Sequence, residues 1–163
     1  FVDFFGKPFI EPSYKNSLFE ILNKKYKILN LYIIRHPLKL YTSCYNNLSF
    51  FRRDYNPEFF VKGYKNYFLN TLKNNIFKFE NFILDPEKNL KSMCSTLEID
   101  YDKNYLNKLK DVNLTGDPNA KISIDISTRD SVSKKKLIKE EDLNKIKNHA
   151  DFISLMKDLK DYY

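Results

Sequence analysis

Apolar residues along the chain follow two patterns, one typical of buried strands and one typical of amphipathic helices. The segment ILNLYII at 28–34 is a nearly continuous apolar run rich in β-branched and aromatic residues, and IFKF at 76–79 is a briefer one. The longer run predicts a strand covered on both faces, as in a parallel sheet. FVDFF at 1–5 is a third candidate strand. Because helical patterns of ten or more residues alternate with these strands, the sequence predicts an α/β fold with parallel strands.

Several helix starts are marked by a proline or by a capping residue. A proline suits the first turn of a helix because its φ angle is fixed and it has no N–H group to donate. Asparagine and aspartate before the proline can cap the helix through their side chains. We predict helices that start at Pro37, at Asn56-Pro57 and at Asp85-Pro86, and further helices at about 18–25, at 105–110 and, as an amphipathic pair, within 138–163. The predicted inward positions are Leu18, Ile21 and Leu22 in the first helix and Leu143, Ile146, Ala150, Ile153, Met156 and Leu159 in the last pair.

Beyond residue 110 the pattern is looser. Gly-Asp-Pro-Asn at 116–119 predicts a turn, and Ile122, Ile124 and Ile126 alternate with polar residues in a segment that we expect to be extended.

The length of 163 residues fits one domain with its own core, since a chain of this size buries about 70% of the surface that it exposes when unfolded. We therefore expect a single α/β domain.

Charge and composition narrow the classes of partner. The net charge of +7 favours an anionic partner, which can be a nucleic acid, a nucleotide or a membrane surface. No run approaches the ~20 apolar residues that a spanning helix needs, so we expect no transmembrane segment. Cys44 and Cys94 are far apart and lack the spacing of metal ligands. We therefore expect reduced core thiols and no metal site.

Arg35 directly follows the first predicted strand, at the end where parallel α/β sheets bind ligands. Its guanidinium offers two parallel donors that suit a phosphate, and the helix that starts beside it aims backbone N–H groups at an anion. Ser43, eight residues after Arg35, lies two turns into that helix and can present its hydroxyl on the same side. These residues predict a phosphate clamp. An exposed arginine at a strand end and a serine tolerated in a helix fit the same residues equally well.

Three segments resemble one protein family and occur in the order that the family has. The Arg-His-Pro segment at 35–37, with Ser43, is similar to the 3′-phosphate-binding segment of sulfotransferases that use 3′-phosphoadenosine-5′-phosphosulfate (PAPS). Residues 77–102 resemble the segment in which an aromatic-Glu-Asp-Leu strand end precedes an Asp-Pro helix and a hydrophobic-acidic-aromatic tail. Gly-Asp-Pro at 116–118 resembles the Gly-Asn-Pro turn of bacterial members, although Ala120 stands where the family has an arginine.

The resemblance implies an α/β fold similar to that of P-loop NTPases, with a parallel sheet flanked by helices, and PAPS as the sulfuryl donor. It implies that Arg35 and Ser43 bind the 3′-phosphate. Phe79 stands where many members have a tyrosine near the adenine, and Glu80 beside it is expected to be structural. A late basic loop that could cover the phosphate adds the candidates Lys121, Arg129 and Lys134.

The chain departs from the family at the phosphosulfate end. The family begins with a strand and a Lys/Arg-Ser-Gly-Thr-Thr loop that cradles the 5′-phosphosulfate. No such loop is present in this sequence, whose three glycines are Gly6, Gly63 and Gly116, and the chain begins without methionine. We therefore expect residues 1–163 to be a partial sulfotransferase domain, truncated at its N-terminus and incomplete for catalysis.

The sequence gives fewer indications of the residues that would contact the sulfuryl acceptor. Gly-Lys-Pro at 6–8 lies where the family often has a Lys-Ser/Thr-Pro segment, so the resemblance implies Lys7 and Glu11 as catalytic candidates, with Glu11 as the candidate general base. His36 belongs to the phosphate motif and His149 to a C-terminal helix, and we expect neither to be catalytic. The implied acceptor is a hydroxyl or amine of a carbohydrate, a lipid or another compound, and the expected location is the cytoplasm.

Two other functions stay open. The first is a nucleotide-binding relative of the sulfotransferases that lacks both the loop and catalysis. The second is a basic nucleic-acid-binding domain, which would use positive charge and exposed tyrosines. Because most aromatic residues occupy predicted inward positions, the sequence favours the sulfotransferase interpretation, and we expect no nucleic-acid partner.

Overall fold

A computed structural model describes residues 17–47, 51, 56–69, 75–109 and 138–162 of the chain. This part is mixed α/β, mostly helical, with a small sheet of two strands. In chain order the elements are α1 (Ser17–Leu22), β1 (Tyr32–Ile34), α2 (Pro37–Asn47), α3 (Pro57–Leu69), β2 (Ile76–Lys78), α4 (Phe79–Leu84), α5 (Pro86–Thr96), α6 (Tyr105–Leu109), α7 (Glu140–Asn148) and α8 (Ala150–Asp158). The candidate strand at 1–5, the turn at 116–119 and the extended segment at 122–126 lie outside the described residues.

The two strands are parallel, as the sequence predicts, and they pair so that Tyr32 lies beside Ile76 and Ile34 beside Lys78. Helices α2 and α3 connect them along the chain. The prediction of a strand covered on both faces over 28–34 is wrong, because β1 has three residues and Ile33 is 37% exposed. Successive side chains of a strand point to opposite faces, so the fully buried Ile34 marks the covered face and Ile33 the open one.

The predicted helix starts are confirmed. Pro37 is the first residue of α2. Asn56 caps α3, since its side-chain oxygen accepts the N–H of Phe59 at 2.8 Å. Asp85 caps α5 in the same way, accepting the N–H of Lys88 at 3.1 Å. Each cap satisfies one of the backbone donors that a helix start leaves without an intrahelical acceptor.

An aromatic cluster holds α2 against α3. Tyr41 of α2 is 1% exposed, and its ring centroid lies 5.4 Å from that of Phe51 and 4.9 Å from that of Phe60. On its other side α3 packs against α7 and α8, whose buried residues include Ile146, at 0% exposure. The core therefore joins the strand–helix unit around β1 to the C-terminal helices.

Two helices present different faces from those predicted. Helix α1 buries none of its residues, and Leu18 and Ile21 are 61% and 59% exposed. The apolar periodicity therefore predicted the helix correctly, but the predicted inward face is exposed. In α8, Ile153 and Ala150 are exposed, whereas Phe152 and Leu155 are buried. His149, with φ −71° and ψ 131°, is extended between α7 and α8, so the helical phase restarts there.

Other predicted inward positions of the C-terminal pair are confirmed. Ile146 and Leu159 are fully buried, and Leu143 and Met156 are partly buried against the core. None of the helices in the described ranges is long and apolar enough to cross a bilayer.

Candidate functional site

Arg35 and Phe79 come immediately after two neighbouring parallel strands. Arg35 follows β1 and Phe79 follows β2, and the last residues of these strands, Ile34 and Lys78, are paired. Because parallel strands end at the same edge of a sheet, the two side chains meet there. The Cζ atom of the Arg35 guanidinium lies 4.8 Å from the centroid of the Phe79 ring, within the range of a cation–π interaction.

Two hydrogen bonds hold the backbone at this edge. The fully buried Tyr64 of α3 donates its hydroxyl to the carbonyl oxygen of Arg35 at 2.7 Å. The N–H group of His36, just before α2, donates to Oε1 of Glu80 at 3.0 Å. Glu80 follows Phe79, so its carboxylate links the segment after β2 to the start of α2. These contacts fix where the Arg35 side chain leaves the sheet and agree with the structural role expected of Glu80.

Arg35 and Ser43 line one groove, as the predicted clamp requires. The groove has a volume of about 480 Å³ and is lined by Arg35, Leu38, Lys39, Thr42, Ser43, Leu143 and Lys147. The α2 residues are spaced so that they share one face of that helix, and the two α7 residues are four apart, which places them on one face of theirs. The end of β1, α2 and α7 therefore each contribute side chains.

The groove is cationic. Its lining includes one guanidinium and two ammonium groups, and no carboxylate is among the described residues that line it. The hydroxyl of Thr42 donates to the carbonyl oxygen of Leu38 at 2.8 Å, so its proton is engaged within α2. Such a donor set is suited to an anion with several acceptor oxygens, such as a phosphate or a carboxylate.

Lys39 and Lys147 are lining residues that the sequence did not identify. Lys39 could have been found, since it lies midway between Arg35 and Ser43 at the helical spacing of four residues. The position of Lys147 in the groove could not have been predicted, because nothing in the local pattern of α7 indicates which helix lies beside it. The sequence instead favoured Lys121, Arg129 and Lys134 as the further cations, and these lie outside the described residues.

The remaining candidates have different positions. Phe79 contacts Arg35 but is not part of the groove lining. Lys7 and Glu11 lie outside the described residues. His149 caps α8, accepting the N–H of Asp151 on Nδ1 at 3.1 Å. Within the described ranges, no group of His, Cys, Asp and Glu side chains has the arrangement of a metal site.

Burial changes the ionisation of two groups beside Arg35. Burial lowers the pKa of His36, and Lys39 lowers it further, while Glu80 acts in the opposite direction. Burial raises the pKa of the Cys44 thiol to about 12, although the charge of Arg35 acts to lower it. Neutral forms of both groups are therefore favoured at neutral pH, so neither a thiolate nor an imidazolium is expected there.

Comparisons of the chain with protein-family models, with curated proteins and with solved structures found no match.

Proposed function

We propose that this chain is part of a PAPS-dependent sulfotransferase domain with a P-loop-like fold, and that its cationic groove binds the 3′-phosphate of PAPS. One observation carries the proposal: Arg35 and Ser43, eight residues apart, line the same groove beside the end of a strand in a parallel pair. This arrangement is the one that the resemblance of the Arg-His-Pro segment implies. It is also the edge of a parallel sheet where α/β proteins bind ligands.

The residues present fit a phosphate. The Arg35 guanidinium can donate two parallel hydrogen bonds to phosphate oxygens, and the Ser43 hydroxyl can donate a third. Helix α2 begins beside Arg35, and its N-terminus favours negative charge, part of which the Glu80 carboxylate at the His36 N–H already supplies. A groove of about 480 Å³ is within the range of small-molecule sites, which span roughly 300–1,000 Å³.

The contribution of these residues to a reaction is binding and orientation. PAPS supplies an activated sulfuryl group, which the complete domain would transfer to a hydroxyl or amine of a carbohydrate, a lipid or another acceptor. Arg35 and Ser43 would hold the nucleotide by its 3′-phosphate and so fix the direction of its other end. The sequence contains no loop of the type that cradles the 5′-phosphosulfate. We therefore expect this chain to bind the nucleotide without transferring the sulfuryl group.

A second candidate is a non-catalytic nucleotide-binding relative of the sulfotransferases. It shares the groove and differs in having no sulfuryl transfer in any form of the protein. A nucleic-acid-binding function is less well supported. Tyr26 is 64% exposed, but Tyr41, Phe60 and Tyr64 are at most 1% exposed and cannot stack on bases from the surface.

Calorimetric titration with adenosine 3′,5′-bisphosphate tests the proposal. We expect saturable binding, and binding of adenosine 5′-monophosphate weaker by about tenfold or more, because a charge-assisted contact contributes about 1.5–3 kcal/mol and 1.4 kcal/mol corresponds to tenfold. Arg35→Lys retains the charge without the bidentate geometry and should weaken binding, and Arg35→Ala should weaken it further. Ser43→Ala should weaken binding, whereas Ser92→Ala, at an exposed position of α5, serves as its control.

Circular dichroism of each variant would verify that it is folded. Absence of saturable binding by the unsubstituted chain would overturn the proposal. The same holds if a folded Arg35→Ala variant binds the bisphosphate with unchanged affinity.

A further inference from the structure

We infer that Lys39 and Lys147 bind the same phosphate group as Arg35, so that α7 supplies one wall of the nucleotide site. This inference rests on the proposed function, and it adds two residues that the sequence motif does not contain. It also assigns a binding role to the C-terminal helical pair.

The positions of the two lysines are the first argument. Lys39 shares with Ser43 the face of α2 that lines the groove, and Lys147 shares with Leu143 the lining face of α7. With Arg35 after β1, three cationic side chains come from three separate parts of the chain. A ligand in the groove would therefore have positive charge on more than one side.

Charge balance is the second argument. Some lysines of the described ranges, such as Lys62 and Lys65, are in ion pairs with carboxylates, whereas others, such as Lys24 and Lys88, are in none among the described residues. Lys39 and Lys147 are in none of the ion pairs among the described residues. They differ from the other unpaired lysines because they line the groove. Two ammonium groups that line one groove repel each other, and an anion there removes that cost. A phosphomonoester, with a charge of about −1.5 to −2 at pH 7, suits these two positive charges.

A structural role for Lys147 has to be separated from binding. Lys147 and Lys145 both lie in the last turn of α7, where a positive charge stabilises the helix through its dipole. Lys145 pairs with Glu141 at 2.7 Å and is not among the groove residues. Lys145→Gln therefore removes the same charge from the same helix turn, and it controls for the dipole.

The test is calorimetric titration of the chain and its variants with adenosine 3′,5′-bisphosphate. We expect Lys39→Gln and Lys147→Gln each to raise the Kd by about tenfold, since an exposed lysine–phosphate contact is at the lower end of charge-assisted hydrogen bonds. Lys145→Gln should leave the Kd within about twofold. Lys147→Arg keeps the charge and should restore most of the affinity lost in Lys147→Gln.

The outcomes separate this inference from the proposed function. If the bisphosphate binds in an Arg35-dependent manner but Lys147→Gln and Lys39→Gln behave like Lys145→Gln, the role of the two lysines is overturned and the proposed function stands. If the unsubstituted chain does not bind the bisphosphate, both are overturned. A selective loss in the two groove variants, with recovery in Lys147→Arg, supports the inference.

Discussion

The guanidinium of Arg35 lies over the face of the Phe79 ring, with Cζ 4.8 Å from the ring centroid. The resemblance to sulfotransferases places Phe79 near the adenine of the nucleotide. Its observed contact is with Arg35, so the ring can orient the residue that we propose to bind phosphate. Because the two residues follow paired strands, the interaction is a direct result of the parallel register.

Replacing Phe79 by leucine should therefore weaken nucleotide binding through Arg35. Leucine keeps an apolar side chain without a π face. A cation–π contact contributes about 0.5–2 kcal/mol, so we expect the Kd for adenosine 3′,5′-bisphosphate to rise by about two- to thirtyfold. Phe79→Tyr keeps the π face and should bind normally. Titration with cytidine 3′,5′-bisphosphate should show the same factor for Phe79→Leu. A loss confined to the adenine nucleotide would instead indicate direct stacking on the base.

Glu80 should contribute to stability through the N–H group of His36, which it accepts at 3.0 Å. Glu80→Ala removes this acceptor from a partly buried donor, and we expect the free energy of unfolding to fall by about 1–3 kcal/mol. Glu80→Gln retains a side-chain oxygen and should lose less. Glu87→Ala, in an exposed pair with Lys91, is the control and should cost about 0.3–0.5 kcal/mol. Urea denaturation measures all three, and equal losses for Glu80→Ala and Glu87→Ala would contradict the structural role.

The sequence predicted those features of the fold that depend on local signals. Pro37, Asn56 and Asp85 mark helix starts because capping and the geometry of proline act within a few residues. The phase of α8 was not predicted, since the extended backbone of His149 interrupts the period between two helices that the apolar pattern alone cannot separate. Exposure of the α1 face could not be predicted either, because periodicity does not specify which element packs against a face.

The candidate site likewise contains residues that local signals predict and residues whose positions depend on tertiary packing. Arg35 and Ser43 could be identified because the strand, the proline and the helical spacing between them lie within one short segment. Phe79 was predicted by resemblance to lie near the adenine, which stays a prediction, and its contact with Arg35 depends on the register of two strands that are far apart in the chain. Lys147 was missed because its place in the groove depends on the packing of α7, which is a tertiary feature.

His36 should make stability depend on pH. Burial lowers its pKa in the folded state below the ordinary value of about 6.5. Between the two pKa values the unfolded chain binds a proton that the folded chain does not, so the free energy of unfolding falls as pH drops through about 6.5 and towards the folded-state pKa. His36→Gln removes this contribution. Urea denaturation at several pH values should show the stability difference, unsubstituted chain minus variant, becoming less favourable to the unsubstituted chain on acidification. A difference that is constant with pH would contradict the prediction.

Glu98 should be replaceable by glycine with a gain in stability. Its φ angle is 54°, in the left-handed region, and it ends α5 in a turn where Ile99 N–H donates to Cys94 O at 3.0 Å and Glu98 N–H to Ser95 O at 3.2 Å. Glycine adopts this conformation without the cost of about 1–2 kcal/mol that a Cβ atom adds. Part of this gain is offset by the loss of the exposed pair with Lys27 and by the greater freedom of the unfolded chain. We therefore expect Glu98→Gly to raise the free energy of unfolding by about 0.5 kcal/mol. Ser95→Gly, inside α5, should instead lower it by about 0.5–1 kcal/mol. Urea denaturation of the two variants decides, because effects of the same sign would show that the left-handed residue carries no cost.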